Sequence, residues 1–158
     1  MGNNLIKSMT WLIFYLCTIV ASSSAFLFNI QGWYTSSVGP SFAPPTWVFG
    51  PVWTMLYIFI AFAGFFIATG KNSKWKPTAI GLWSLQMVLN VIWTPIFFGT
   101  QNFGAALVYI VALWVSIFGV IISSWKVDKK ASYLMIPYLG WVSFATLLNY
   151  SYWQLNLG

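Results

Sequence analysis

Residues Phe103–Trp125 read FGAALVYIVALWVSIFGVIISSW, a continuous apolar run without a charged side chain. A helix that crosses roughly 30 Å of hydrocarbon needs about 20 such residues, and this run is long enough. A strand of a membrane barrel would alternate apolar and polar residues over about 10 positions, whereas this run does not alternate. The run therefore predicts a transmembrane α-helix.

Four further apolar runs of similar length lie at about residues 9–30, 46–69, 78–98 and 132–153, beside the run at 103–125. The surface of a water-soluble domain is rich in charge, and such domains have about 25% charged residues. Only 5% of this chain is charged, while 59% is hydrophobic. The predicted fold class is therefore an all-α membrane protein, a bundle of five transmembrane helices.

The longest connection, residues 31–45, contains two glycines and three prolines, which end both neighbouring helices. No linker or internal repeat interrupts the chain, so residues 1–158 are predicted to form one domain. The small residues from Ala21 to Ala25 are similar to the cleavage region of a signal peptide, but the run stays apolar as far as Ile30. A retained helix, in which small residues allow close packing, is therefore favoured over cleavage.

The few ionisable side chains exclude most kinds of catalytic site. The chain has no histidine and a single acidic residue, Asp128. A metal site, a pair of catalytic carboxylates and a Ser-His-Asp or Cys-His triad all need side chains that the sequence lacks, so no metal ligands are predicted. The net charge of +6 comes from lysine clusters between the runs, so nucleic acid is not an expected partner. The lone Cys17 cannot form an intramolecular disulfide.

All seven lysines fall on one side of the predicted membrane. Lys7 precedes the first run, three lysines lie in the connection 71–77, and three lie in the connection 126–131. With five crossings these segments share one side, and the opposite side receives no lysine. Because cytoplasmic segments carry the excess of basic residues, the sequence predicts a cytoplasmic N-terminus and an external C-terminus.

Polar and aromatic residues inside the runs are the candidates for function, because a polar group within a membrane is costly. Gln86 and Asn90 are four residues apart and share one helix face. Two interpretations remain open: their amides only join helices by hydrogen bonds, or they face a ligand. Trp93 and Trp141 lie well inside their runs, away from the interfacial belt of tryptophans, which favours an apolar pocket with few polar anchors. The aligned faces are Gln86, Asn90, Trp93 and Phe97 on the third run, Trp53 and Tyr57 on the second, and Tyr138, Trp141, Ala145 and Asn149 on the fifth.

Several strings of residues resemble a known family. Residues 39–53 read GPSFAPPTWVFGPVW, residues 89–99 read LNVIWTPIFFG, and residues 137–141 read PYLGW. With Gly32-Trp33-Tyr34 in the first connection, they resemble the TspO/MBR family, which comprises tryptophan-rich sensory proteins and translocator proteins (peripheral-type benzodiazepine receptors). The resemblance covers essentially the whole chain. The pairing of Pro-Pro-x-Trp-x-x-Gly-Pro-x-Trp with Asn-x-x-Trp-x-Pro is highly specific.

The resemblance implies a five-helix bundle, often a homodimer, that binds porphyrins, haem-related tetrapyrroles, sterols and benzodiazepine-type drugs between its helices. It implies that the loop 31–45 acts as a lid, and that porphyrin or haem would be a ligand rather than a cofactor. The expected partners are thus a tetrapyrrole, membrane lipid and a second copy of the chain. The positions that match ligand residues of the family are Tyr34, Pro44, Trp53, Asn90, Trp93, Trp141 and Ala145.

Three functions are compatible with this resemblance. The chain could sense or bind a porphyrin, transport it, or degrade it in light; for the last, the family implicates the tryptophans that match Trp53 and Trp141 as reactive groups. A transporter is disfavoured because no ionisable residue lies within a run to couple ion movement. Gly39 stands where the family usually has a lysine. No basic residue follows Tyr150 to complete the sterol-recognition pattern of animal members, which disfavours a cholesterol role. A bacterial cytoplasmic membrane is therefore expected in preference to a mitochondrial outer membrane.

Overall fold

The computed structural model describes residues 11–12, 14–16, 18–19 and 37–157. The described residues between 11 and 19 are helical and form α1. Four longer helices follow: α2 (Thr46–Thr69), α3 (Lys76–Thr94), α4 (Phe103–Ser124) and α5 (Lys129–Leu155). These four have the length and hydropathy of membrane-crossing helices, when the turn after α3 is counted with it. The predicted class, an all-α membrane protein, is confirmed, while most of the predicted first run, 9–30, lies outside the described residues.

Capping side chains fix where two helices begin. The carboxylate of Asp128 accepts a hydrogen bond from the Lys130 backbone N–H at 2.9 Å, and the Asn102 side chain accepts one from Ala105 at 3.0 Å. These are N-cap contacts, which satisfy backbone donors that the first turn leaves free. α5 consequently begins at Lys129, three residues before the predicted start at residue 132. The apolar run marks only the apolar part of the helix, whereas the capping residue marks where the helix begins.

The predicted third helix, 78–98, is not a regular α-helix throughout. It ends as an α-helix at Thr94 and continues as a π-helical turn, Pro95–Gly99. The Thr100 backbone N–H donates to the Pro95 carbonyl at 3.0 Å, a five-residue step. Pro95 has no N–H to continue the regular ladder, so the helix widens there. The wider turn brings the consecutive Phe97 and Phe98 to one cavity, described below.

The four long helices form a closed ring. α2 packs against α3 and α5, and α4 packs against the same two helices from the other side. The interior of the ring holds fully buried side chains such as Ile60, Ile110 and Met135. Large apolar side chains also cover the outside, among them Val108 and Leu147. This two-sided apolar character fits a lipid solvent, which demands no polar outer face.

The two lysine-rich connections meet at one end of the ring. A β-carbon added to Gly70, in the α2–α3 connection, would lie 2.9 Å from Val127, in the α4–α5 connection. At the opposite end, Asn156 after α5 is hydrogen-bonded to Val38 in the first loop. Six lysines therefore lie at one end, in these connections and the helix turns beside them: Lys71, Lys74, Lys76, Lys126, Lys129 and Lys130.

Candidate functional site

An aromatic cavity lies between α2, α3 and α5, toward the end that carries the first loop. The space in this cavity that is accessible to a water molecule is only about 20 Å³. That is room for about one water molecule. A macrocycle therefore needs this cavity to enlarge. Its wall is formed by Phe49, Trp53, Trp93, Phe97, Phe98, Trp141, Ala145 and Leu148.

Helical spacing explains why these residues meet. Phe49 and Trp53 are four apart on α2, and Trp141, Ala145 and Leu148 follow at steps of four and three on α5. Residues with such spacing share one helix face, and here these faces point at the same space. The structure thus brings together four predicted ligand positions: Trp53, Trp93, Trp141 and Ala145.

Ring contacts hold the cavity wall in place. Trp93 and Phe97 are stacked with centroids 4.9 Å apart, and Phe49 meets Trp141 edge-on at 6.0 Å. The indole N–H of Trp93 donates to Asn149 Oδ1 at 3.1 Å, and Asn149 donates in turn to the Phe103 carbonyl at 2.8 Å. Trp93 is therefore anchored by a buried amide, and Asn149, on the predicted fifth-helix face, serves as that anchor.

Both polar atoms of the Asn90 side chain are hydrogen-bonded to tyrosines. The Tyr57 hydroxyl donates to Asn90 Oδ1 at 2.8 Å, and Asn90 Nδ2 donates to the Tyr138 hydroxyl at 2.7 Å. Asn90 is 1% exposed and does not belong to the cavity wall. In this structure its amide joins α2, α3 and α5, as the helix-joining interpretation predicted. A ligand contact at Asn90 stays a prediction.

Gln86 behaves differently from Asn90. It is fully buried, and neither atom of its amide has a hydrogen-bond partner. Of the two interpretations left open for Gln86, hydrogen bonding between helices is therefore not seen in the described part of the chain. The indole nitrogen of Trp141 is likewise buried and unpaired, although its ring lines the cavity.

The described part of the first loop is fastened to the end of α5. Asn156 accepts a hydrogen bond from the Val38 N–H at 3.2 Å and donates one to the Val38 carbonyl at 3.0 Å. A β-carbon on Gly39 would lie 2.6 Å from the Tyr152 hydroxyl, so this loop passes too close for a larger residue. We call the two hydrogen bonds between Asn156 and Val38 the Asn156 clamp. The close approach of Gly39 to Tyr152 gives a physical reason for glycine at the position where the family usually has lysine.

Of the two loop residues predicted to bind a ligand, the structure describes only Pro44. Pro44 is half-buried and is not part of the wall, and Tyr34 lies outside the described residues. Sequence reasoning missed Phe49 and Leu148, although their spacing from Trp53 and Trp141 was available as a signal. It also missed Asn156, because no sequence pattern pairs residues 118 positions apart.

Several known proteins are similar to this chain over most of its length. A tryptophan-rich protein TspO of Chlorobaculum tepidum is 41% identical over 89% of this chain and 91% of its own length. A protein with the same name from Archaeoglobus fulgidus is 36% identical over 97% and 99%. The human translocator protein is 35% identical over 80% and 76%.

The profile of the TspO/MBR family matches residues 10–154, which is nearly the whole chain. The matched region includes α2, α3, α4 and all but the last residue of α5, with the described part of the first loop and every residue of the cavity wall. This chain belongs to the TspO/MBR family of membrane proteins.

Proposed function

We propose that this protein binds a porphyrin or another flat aromatic tetrapyrrole in the cavity between α2, α3 and α5. The observation that carries the proposal is the convergence of Trp53, Trp93 and Trp141, from three helices, on one membrane-embedded cavity. Aromatic faces stack on a planar ring system and exclude water from it. The names of the relatives, sensory protein and translocator protein, support a role in sensing or moving the bound molecule.

Binding of a macrocycle requires movement of the cavity wall. Trp53 and Trp141 are only partly buried, so we expect their rings to move more readily than that of Trp93, which is 6% exposed and anchored by Asn149. Ala145 is the smallest side chain of the wall and leaves room for the ligand edge. In the proposed complex Trp93 is the fixed face, and Trp53 and Trp141 close over the ligand. Asn90 positions this site through Tyr57 and Tyr138.

A binding titration with protoporphyrin in detergent tests the proposal. Replacement of Trp141 by alanine removes a stacking partner, which costs about 1–3 kcal/mol at comparable aromatic sites, or about 5- to 150-fold in affinity. Ala145→Phe fills the cavity and should weaken binding as well. Trp125→Ala is the matched control, because Trp125 lies at the far, lysine-rich end beside Lys129. Equal affinities of the folded wild type and both cavity variants would disprove the proposal.

A second candidate function is light-dependent degradation of the bound porphyrin. It is favoured by one observation: Trp53 and Trp141, the two indoles that the family resemblance implicates, line the same cavity. An excited porphyrin supplies reactivity that side chains without histidine or paired carboxylates cannot. Illumination of the complex separates the two candidates, because stable binding in light leaves the porphyrin absorbance unchanged.

We also propose that the lysine-rich end faces the cytoplasm. The connections that carry six lysines lie together at one end of the ring, and cytoplasmic segments are the basic ones. The cavity then lies nearer the external side of the membrane. Reporter fusions at Gly2 and Gly158 should place the first inside and the second outside. Both reporters on the same side would contradict this topology.

A further inference from the structure

Two lysines from different helices reach the end of α2. The Lys76 ammonium of α3 donates to the carbonyl of Gly70, directly after α2, at 3.1 Å. The Lys130 ammonium of α5 lies 5.5 Å from the ring centre of Phe66, in the last turn of α2. α2 has no basic residue of its own in that turn, so these cations come from its two neighbours in the ring.

The chain has too few acidic side chains to balance the charge at this helix end. Lys71, Lys76 and Lys130 all lie there. Asp128 is the only acidic residue of the sequence, and a β-carbon added to Gly70 would lie 3.3 Å from its β-carbon. Its carboxylate accepts a hydrogen bond from the Lys130 backbone N–H at 2.9 Å. One carboxylate neutralises at most one of the three lysines, so the end of α2 keeps an excess of positive charge.

Both ammonium groups retain donors for a further acceptor. A lysine ammonium has three N–H groups, and the contact with Gly70 uses one of those of Lys76. Lys130 meets the face of the Phe66 ring, which attracts a cation but has no lone pair. Two cations that meet at one helix end suit a negatively charged group with several acceptor oxygens, such as a phosphate.

The position of these lysines favours the phosphate of a lipid over a phosphate dissolved in water. Large aromatic side chains are exposed at the same end of the ring, namely Trp75, Trp125 and Tyr133. Tryptophan and tyrosine are enriched at the level of the headgroups of a bilayer. The ammonium beside Phe66 lies at the same end as these rings, and basic side chains at that level bind anionic lipids.

We propose that the end of α2 binds the headgroup phosphate of an anionic phospholipid, held between Lys76 and Lys130. The acyl chains of the lipid lie along the apolar outer surface of the bundle, and both ammonium groups donate to the phosphate oxygens. The aromatic cavity lies toward the opposite end, so this inference is independent of porphyrin binding. It also requires no assumption about which side of the membrane the lysines occupy.

Titration calorimetry in detergent with two short-chain lipids tests the inference. Dioctanoyl phosphatidylglycerol and dioctanoyl phosphatidylcholine have the same acyl chains, and only the first has a net negative charge. The ratio of their dissociation constants, phosphatidylcholine over phosphatidylglycerol, measures the preference for the anionic lipid. Lys130→Gln should lower this ratio about fivefold, the factor that one lysine near the headgroups provides. Lys76→Gln should lower it as well, and Lys76→Arg, which keeps the charge, should restore it.

Lys129→Gln is the matched control. Lys129 is the neighbour of Lys130, and its replacement changes the net charge by the same amount. Its ammonium lies over the ring of Trp125, directly after α4, at 5.4 Å from the ring centre, rather than at the end of α2. Screening acts over about 8 Å at an ionic strength of about 0.15 M, so the ratio should stay within about twofold of the wild type.

Several results would overturn the inference. A wild-type ratio in both folded variants, Lys130→Gln and Lys76→Gln, would show that the lipid does not bind at the end of α2. An equal fall in Lys129→Gln and Lys130→Gln would indicate a diffuse attraction without a site. Inorganic phosphate that binds as tightly as phosphatidylglycerol would assign the lysines to a free anion. Hexaglutamate that displaces phosphatidylglycerol at equal concentration would assign them to an acidic protein segment.

Discussion

The Asn156 clamp should control how fast a ligand enters the cavity. The cavity holds about one water molecule, and the family resemblance implies that the first loop is its lid, so we expect ligand entry to require this loop to lift from the end of α5. Asn156→Ala removes both hydrogen bonds to Val38. Hydrogen bonds contribute about 0.5–1.5 kcal/mol each, and exposed ones lie at the low end, so the clamp is worth about 1 kcal/mol. Its loss should raise the open fraction of the loop about fivefold.

Stopped-flow quenching of tryptophan fluorescence by protoporphyrin measures this effect. If loop opening limits entry, the association and dissociation rate constants of Asn156→Ala should both rise about fivefold, with little change in affinity. Asn102→Ala is the matched control, since Asn102 lies at the same end of the bundle and its side chain is hydrogen-bonded to Ala105 of α4 rather than to the loop. Wild-type association in a folded Asn156→Ala variant would refute the reasoning, because the loop would then not gate the cavity.

Three further predictions concern Gln86, the Gly39–Tyr152 contact and the indoles of the cavity. Gln86→Met removes an amide that has no partner and should raise the free energy of unfolding by about 1–3 kcal/mol in a denaturation assay; a loss of stability would show that the amide is satisfied. Gly39→Ala should speed porphyrin association like the clamp variant, and Tyr152→Phe should partly reverse this because it removes the closest atom. Light-driven porphyrin loss should fall in the double variant Trp53→Phe, Trp141→Phe, measured by absorbance, if the indoles react; undiminished loss would exclude them.

The sequence by itself determined the fold class. Charged residues are sparse and the apolar runs are long, which indicates a lipid environment. Helices suit these runs because a helix pairs all its backbone N–H and C=O groups within one segment. The run 46–69 has the same ends as α2 because prolines stop it on one side and a glycine follows it on the other. Helical spacing also placed Trp141 and Ala145 on one face of α5, and Trp53 and Tyr57 on one face of α2, since spacing sets which residues of one helix share a face.

Only the tertiary structure decided which polar groups are free. Gln86 and Asn90 are equivalent by spacing, yet Asn90 is paired by Tyr57 and Tyr138 from two other helices and Gln86 is not. Likewise, nothing in the sequence separates Trp93, whose N–H is taken by Asn149, from Trp141, whose N–H is unpaired. A hydrogen bond depends on the distance between atoms of different helices, and that distance is set by how the helices pack, which residue spacing along one helix does not contain.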